Sequence, residues 1–157
     1  MRRIAFVAMS GALAFGSLQA QVPMHPAQTD FSYWPVSPGA WTYRAVTGGS
    51  EAAFVDGAGA TRIVIACGKL TRLVTLSRIS GAPASSLSFW TSSDSRNLAS
   101  RFDQPSGRII AQVGGMDPLL DAIAFSRGRF AVSMPGSPAL VMPAGTEIAH
   151  VVEDCRA

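Results

Sequence analysis

Short runs of alternating apolar and polar residues, divided by turn residues, dominate the chain from about Trp41 onward. An alternation with a period of two predicts strands that bury one face. Because no long helical pattern separates these runs, we expect antiparallel pairing in a sandwich or a strongly curled sheet. The predicted strands are 41–46, 51–55, 61–67, 70–79, 87–91, 97–102, 108–113, 129–134 and 139–142, of which the first four form a meander.

Helical periodicity appears only in the C-terminal half of the chain. Asp117 suits an N-cap, Pro118 suits the first helical turn, and Gly128 predicts the end of that helix. A second helix is predicted to begin at Thr146. The apolar stripes are Met116, Leu119, Leu120 and Ile123 on the first helix, and Ile148, Val151, Val152 and Cys155 on the second. The predicted fold class is therefore mainly β (α+β), an antiparallel β-sandwich-like domain with two short helices in its C-terminal half.

The chain contains two cysteines, and the pattern places both against the core. Cys67 ends the apolar run 61–67, which is rich in β-branched residues and predicts a central strand. Cys155 lies on the apolar stripe of the last helix. Two core-facing cysteines in an exported chain are predicted to form a disulfide, Cys67–Cys155, rather than two buried free thiols.

The first 20 residues have the three-part pattern of a secretory signal peptide. Arg2 and Arg3 precede an apolar run, which leads to a small-residue cleavage signal ending at Ala20, with Gly16 as the alternative site. The run of about a dozen residues is shorter than the roughly 20 that a membrane span needs, and no later run is longer. We expect a signal peptide at 1–20, a Pro-rich lead-in at 21–40 and a single β-rich domain at 41–157, located in the periplasm or secreted.

Charge argues against a nucleic-acid partner. Of the 13 basic residues, Arg2 and Arg3 belong to the predicted signal, which leaves 11 basic residues against 10 acidic ones. Nucleic-acid binding requires Lys and Arg clustered along one face, whereas these arginines are scattered. After signal cleavage, the chain is predicted to have no transmembrane segment.

The sequence contains no convincing catalytic or cofactor motif. Glu147, His150 and Asp154 lie at i, i+3 and i+7 of the last helix, which suggests at most a weak metal site and a metal-dependent hydrolase as an alternative. A surface helix commonly collects such groups without binding a metal. No GxSxG motif accompanies the scarce histidines, so a serine hydrolase is disfavoured. The prediction is that the protein has no cofactor and no catalytic residue.

Two groups of residues are candidates for binding. Phe31, Tyr33 and Trp34 form an aromatic cluster in the lead-in, which either covers an edge of the sheet or contacts a partner. Arg127 and Arg129 flank a glycine and are able to hold an anion, although arginines near a helix end more often meet its last carbonyls.

The order of elements over residues 117–155 suggests a family. A helix, the strand SRGRFAV, the strand ALVMP and an amphipathic helix follow one another there. This order resembles the C-terminal half of small exported bacterial proteins of the invasion-associated locus B type and of periplasmic accessory proteins of type VI secretion. The resemblance implies a β-sandwich-like domain without an established enzymatic role, and it carries over no functional residue.

These observations favour a non-enzymatic envelope protein that binds another envelope protein or a surface component. We expect the contact to involve the aromatic cluster rather than the last helix, because that helix commits its apolar stripe to the core. A small periplasmic inhibitor of a lytic enzyme is an alternative that fits the size and the disulfide, although no inhibitory loop is identifiable.

Overall fold

The structure is a computed structural model that describes residues 30–157. The predicted signal peptide and residues 21–29 of the lead-in lie outside this range. The elements in chain order are β1 (Gly39–Val46), β2 (Gly49–Asp56), β3 (Thr61–Gly68), β4 (Leu73–Ile79), β5 (Ser86–Trp90), β6 (Ser95–Ala99), β7 (Arg101–Asp103), β8 (Arg108–Gly114), α1 (Pro118–Ala124), β9 (Phe130–Met134), β10 (Ser137–Met142) and α2 (Thr146–Arg156). The mainly β, two-sheet prediction is confirmed.

The first sheet has six antiparallel strands in the order β1-β2-β3-β4-β8-β7. Its first four strands form the predicted meander. Alternate residues point to one buried face, which we call the inner face and which carries Phe54, Ile65 and Leu76. This pattern follows from the period of two along a strand. The inner face therefore needs covering by other elements.

The second sheet has four strands in the order β10-β9-β5-β6. At Ser100 the chain passes from β6 of the second sheet to β7 of the first sheet. The single strand predicted over 97–102 is therefore wrong, because this run changes sheet at its middle. Phe102 still packs against the core from β7, which explains why the whole run shows one apolar pattern.

Two different layers cover the inner face of the first sheet. Helix α2 packs against β1, β2 and β3, and the Cys67–Cys155 disulfide joins it to β3 with a Cα–Cα distance of 5.4 Å. The other end of the face meets the second sheet, where Trp41 stacks on Phe130 with ring centroids 6.1 Å apart. The predicted disulfide is confirmed, and one continuous core joins the three layers.

The guanidinium of Arg78 lies inside this core and joins the two sheets. It donates to the carbonyl of Val132 at 2.7 Å and to the carbonyl of Pro138 at 2.5 Å. The Pro138 carbonyl lies where the β9–β10 register shifts, and the two bonds give the buried guanidinium its acceptors on β9 and β10. Burial lowers the pKa of Arg78 to about 10, which leaves the group charged at neutral pH.

Both predicted helices form, and the second begins at Thr146 as predicted. Asp117 caps α1 as predicted, because its Oδ1 accepts the amide of Leu119 at 2.9 Å. The helix ends at Ala124 rather than near Gly128. Met116 does not belong to the apolar stripe, since it precedes the helix and is 76% exposed. Neither helix in the described residues is long and apolar enough to cross a membrane.

The reversal between β3 and β4 is longer than predicted. Strand β4 begins at Leu73, and Leu70 is 98% exposed in the intervening turn. Arg72 adopts the left-handed region with a φ of 51°, which a two-residue reversal at Gly68 and Lys69 does not require. The prediction of a strand starting at Leu70 is wrong because apolar composition alone does not show that a leucine is buried.

Candidate functional site

The described part of the lead-in lies on the outer face of the second sheet. Phe31 is 6% exposed and packs against Ala131 of β9 and Val141 of β10. Its ring also meets the edge of Trp90 of β5, with centroids 6.3 Å apart. Phe31 is therefore an anchor for the segment. Of the two alternatives for the aromatic cluster, Phe31 follows the first, because it covers apolar side chains of the second sheet that the core does not reach.

The next two aromatic residues have different surroundings. Tyr33 is 94% exposed, and Trp34 is 45% exposed with its ring 5.0 Å from that of Phe31. Ser37 donates its amide to the carbonyl of Val141 at 2.8 Å, which holds the end of the segment on β10. The anchor at one end and this hydrogen bond at the other fix the backbone that presents Tyr33 and Trp34.

Hydrogen bonds also tie this segment to two loops. The Ser92 amide donates to Ser126 Oγ at 3.0 Å, and the Arg127 amide donates to Ser92 Oγ at 2.8 Å, so the β5–β6 and α1–β9 loops bind each other reciprocally. Ser126 Oγ donates to the carbonyl of Arg129 at 2.6 Å. The guanidinium of Arg129 in turn donates to the carbonyl of Trp34. The two predicted groups, aromatic and basic, are thus brought together.

We call Tyr33, Trp34, Phe125, Arg127 and Arg129 the aromatic–arginine surface. Phe125 follows α1 directly and is 71% exposed. Arg127 is exposed, and Arg129 is half-buried. Aromatic rings and arginines are the residue types that are enriched at protein interfaces, where they combine apolar area with directional donors. The arrangement is suited to binding.

A polar cleft of about 490 Å³ lies beside this surface, between the lead-in and the β5–β6 loop. Asp30 and Asp94 contribute carboxylates to it, and Trp90 contributes a ring. The hydroxyl and the amide of Ser32 lower the pKa of Asp30, so this carboxylate is charged at neutral pH. The cleft thus places acceptors next to the arginines, as expected for the polar rim of an interface.

Two of the three residues of the alternative metal site have other partners. Asp154 accepts the hydroxyl of Tyr43 at 2.7 Å and lies 3.7 Å from Lys69 Nζ. The ring of His150 meets Tyr43 edge to face, with centroids 5.7 Å apart. Over residues 30–157, no group of three or more His, Cys, Asp or Glu side chains is placed to hold a metal ion, and Glu147 joins no such group. The metal-dependent hydrolase therefore gains no support.

Sequence reasoning missed Phe125, Ser92, Ser126 and the polar cleft. One signal for Phe125 was present, because it lies off the stripe formed by Leu119, Leu120 and Ile123, and an apolar residue off the stripe faces solvent. The serine contacts join residues about 34 positions apart and leave no local pattern. Trp41, at the start of the first predicted strand, is buried, and its Nε1 donates to the carbonyl of Pro143 at 2.8 Å.

A function has to be inferred from the residues of the chain itself. No family model, no curated protein and no solved structure matches this sequence.

Proposed function

We propose that this is an exported, non-catalytic protein that binds another envelope protein through its aromatic–arginine surface. The observation that carries the proposal is the high exposure of Tyr33 on the lead-in and of Phe125 on the α1–β9 loop, two segments that the hydrogen bond from Arg129 to the Trp34 carbonyl joins. Exposed aromatic side chains that share an ordered surface with arginines are typical of a contact outside the molecule, whereas a single exposed apolar residue such as Leu70 is common on any protein surface.

The composition of the surface supports a protein partner. Tyr, Trp and Arg are the residues that most often carry the binding energy of protein interfaces. Arg129 is already ordered by the carbonyl of Trp34, so less conformational entropy is lost when a partner binds. Asp30 and Asp94 provide charges of the opposite sign at the rim, which favours a partner with mixed charge over a polyanion.

The exported location rests on two features. Residues 1–20 have the pattern of a signal peptide. The Cys67–Cys155 disulfide fits an oxidising compartment, because structural disulfides are rare where thiols are kept reduced.

The last helix is a poorer candidate for the contact. Its buried residues face the core, and two of its outward charges are engaged, since Asp154 bonds Tyr43 and Arg156 forms a bidentate pair with Asp121 at 2.8 and 3.0 Å. A partner would have to displace these contacts before gaining its own.

The test is to capture binding partners from an envelope extract with the oxidised protein, identify them, and measure the affinity of the purified partner. The variant to compare is Tyr33→Ser/Phe125→Ser/Arg127→Gln. Its side chains are exposed, so its fold should be unchanged. We expect the affinity to fall by about thirtyfold or more, as for loss of a hot spot of about 2 kcal/mol.

The matched control is Leu70→Ser/Met116→Ser, which removes two apolar side chains that are 98% and 76% exposed elsewhere. Met116 lies at the opposite end of α1 from Phe125. Point substitutions are preferable to deleting the lead-in, because deletion uncovers Ala131 and Val141. If the control loses as much affinity as the variant, or if the variant loses none, the proposed surface is wrong.

A further inference from the structure

Strand β1 has an unusually complete free edge. It pairs with β2 over eight consecutive residues without a bulge. Within residues 30–157, its other side has no strand neighbour, and no backbone group of residues 40–46 bonds to anything except β2. Five of its side chains in succession, from Thr42 to Val46, are exposed. Such an edge is a template for another strand.

The other three sheet edges carry features that discourage pairing. Strand β7 has three residues, two of them charged, and β6 has five, including Arg96. Strand β10 contains Pro138 and a register shift, and the amide of Ser37 already occupies the carbonyl of Val141. An edge strand is usually protected from pairing with another strand by its short length, by charge, by proline, by irregular pairing or by a covering segment. Apart from the single charge of Arg44, strand β1 has none of them.

The hairpin geometry shows which groups of β1 are free. Thr47 and Gly48 form a two-residue loop, and such a loop closes on a pair that exchanges hydrogen bonds, here Val46 and Gly49. Hydrogen-bonded and non-hydrogen-bonded pairs then alternate along the ladder. The N–H and C=O groups of Trp41, Tyr43 and Ala45 therefore point away from β2.

We propose that β1 pairs antiparallel with β1 of a second copy of this chain, about a twofold axis at Tyr43. This register overlaps residues 40–46 of both copies, and it matches every free backbone group of Trp41, Tyr43 and Ala45 with one in the second copy. Closed twofold symmetry is the commonest arrangement of soluble homo-oligomers. The pairing continues the first sheet from one copy into the other.

The side chains of β1 are self-complementary in this register. Trp41 lies opposite the small Ala45 of the second copy, and Ala40 lies opposite Val46. Arg44, which is the strand's single charged residue, lies opposite Thr42 rather than opposite itself. The two Tyr43 rings form a cross-strand aromatic pair, a favourable combination. Apart from the Tyr43 pair, large residues thus meet small ones, and no like charges face each other, which favours a second copy over an arbitrary strand.

This contact is separate from the aromatic–arginine surface. Strand β1 is an edge of the first sheet, whereas Phe31 anchors the lead-in on the outer face of the second. Self-association and partner binding are therefore tested independently, and a failure of one leaves the other standing.

The first experiment is sedimentation equilibrium of the purified, oxidised protein over micromolar to millimolar concentrations. We expect a monomer–dimer equilibrium. Amide hydrogen exchange at the two ends of the range adds a local readout. The amides of Tyr43 and Ala45 should be protected only at high concentration, whereas those of Thr42 and Arg44 should be protected at both by their bonds to β2.

Three variants test the register. Ala45→Pro removes an outward N–H without touching the β2 ladder and should abolish the dimer. Thr42→Arg places a like charge opposite Arg44 of the second copy, twice by symmetry, and should weaken the dimer by about two- to thirtyfold. Thr42→Glu should strengthen it by a similar factor. The two Thr42 variants decide the matter even if Ala45→Pro fails to fold.

Two outcomes would overturn the proposal. One is a protein that stays monomeric throughout the concentration range. The other is a dimer whose affinity does not respond in opposite directions to Thr42→Arg and Thr42→Glu, because a dimer of that kind uses a different surface or register.

Discussion

Removing the disulfide should lower the stability of this fold more than any single surface change. The bond joins residues 88 positions apart, so it closes a loop that includes most of the domain. In the chain-entropy model, closing a loop of this length stabilises the fold by about 4 to 5 kcal/mol, because the bond reduces the conformational entropy of the unfolded chain. A domain of this size has about 5 to 15 kcal/mol in total, so the bond supplies a substantial share.

The variant to measure is Cys67→Ala/Cys155→Ala, which leaves no lone thiol. Urea unfolding followed by far-ultraviolet circular dichroism gives the free energy of unfolding of both proteins. Both cysteines are almost fully buried, so the substitution also removes two packed sulfur atoms, and the loss should be no smaller than the chain-entropy value. Repeating the measurement of the double variant with a reductant is the control, and it should change nothing.

A difference of less than about 1 kcal/mol between the oxidised protein and the double variant would refute this reasoning. It would mean that the unfolded chain keeps residues 67 and 155 close without the bond, or that the bond strains the folded state by as much as it restricts the unfolded one.

Two further changes test the interior and the acid stability. Arg78→Lys replaces the guanidinium, which donates to two carbonyls, with a single ammonium, so it should lower the free energy of unfolding in urea by about 1 to 3 kcal/mol. The surface control Arg62→Lys should lower it by less than about 1 kcal/mol. Equal losses would contradict the bridging role of Arg78. The Arg96 guanidinium, aided by the amide of Leu119, lowers the pKa of Asp117, so this carboxylate adds stability at neutral pH that is lost as the pH falls through its lowered pKa. Asp117→Asn should therefore lose less stability than the wild type between about pH 5 and pH 2, and an unchanged acid profile would contradict this assignment.

The sequence was sufficient for features with a local cause. The meander of β1 to β4, the Asp117 cap and the stripe of α2 each follow from periodicity or from a turn residue near the element itself. The disulfide was also predictable, because two patterns independently directed Cys67 and Cys155 to the core.

Other features depend on contacts between distant parts of the chain. Nothing near Ser100 in the sequence shows that the strand changes sheet there. Phe31 is buried because Ala131 and Val141 leave an uncovered apolar patch about 100 residues away, which only the assembled second sheet presents. The aromatic and basic candidates were each visible, but the hydrogen bond from Arg129 to Trp34 that unites them was not.

The most direct test of the central claim is site-specific photo-crosslinking in the expressing cell. A photoreactive residue replaces Tyr33 in one protein and Leu70 in another, because these side chains are 94% and 98% exposed and only Tyr33 belongs to the aromatic–arginine surface. The account predicts one adduct of defined mass from position 33 and none of that mass from position 70. Excess wild-type protein should suppress the adduct, and the Tyr33→Ser/Phe125→Ser/Arg127→Gln variant should not. The same adduct from both positions, or none from position 33, would contradict the account.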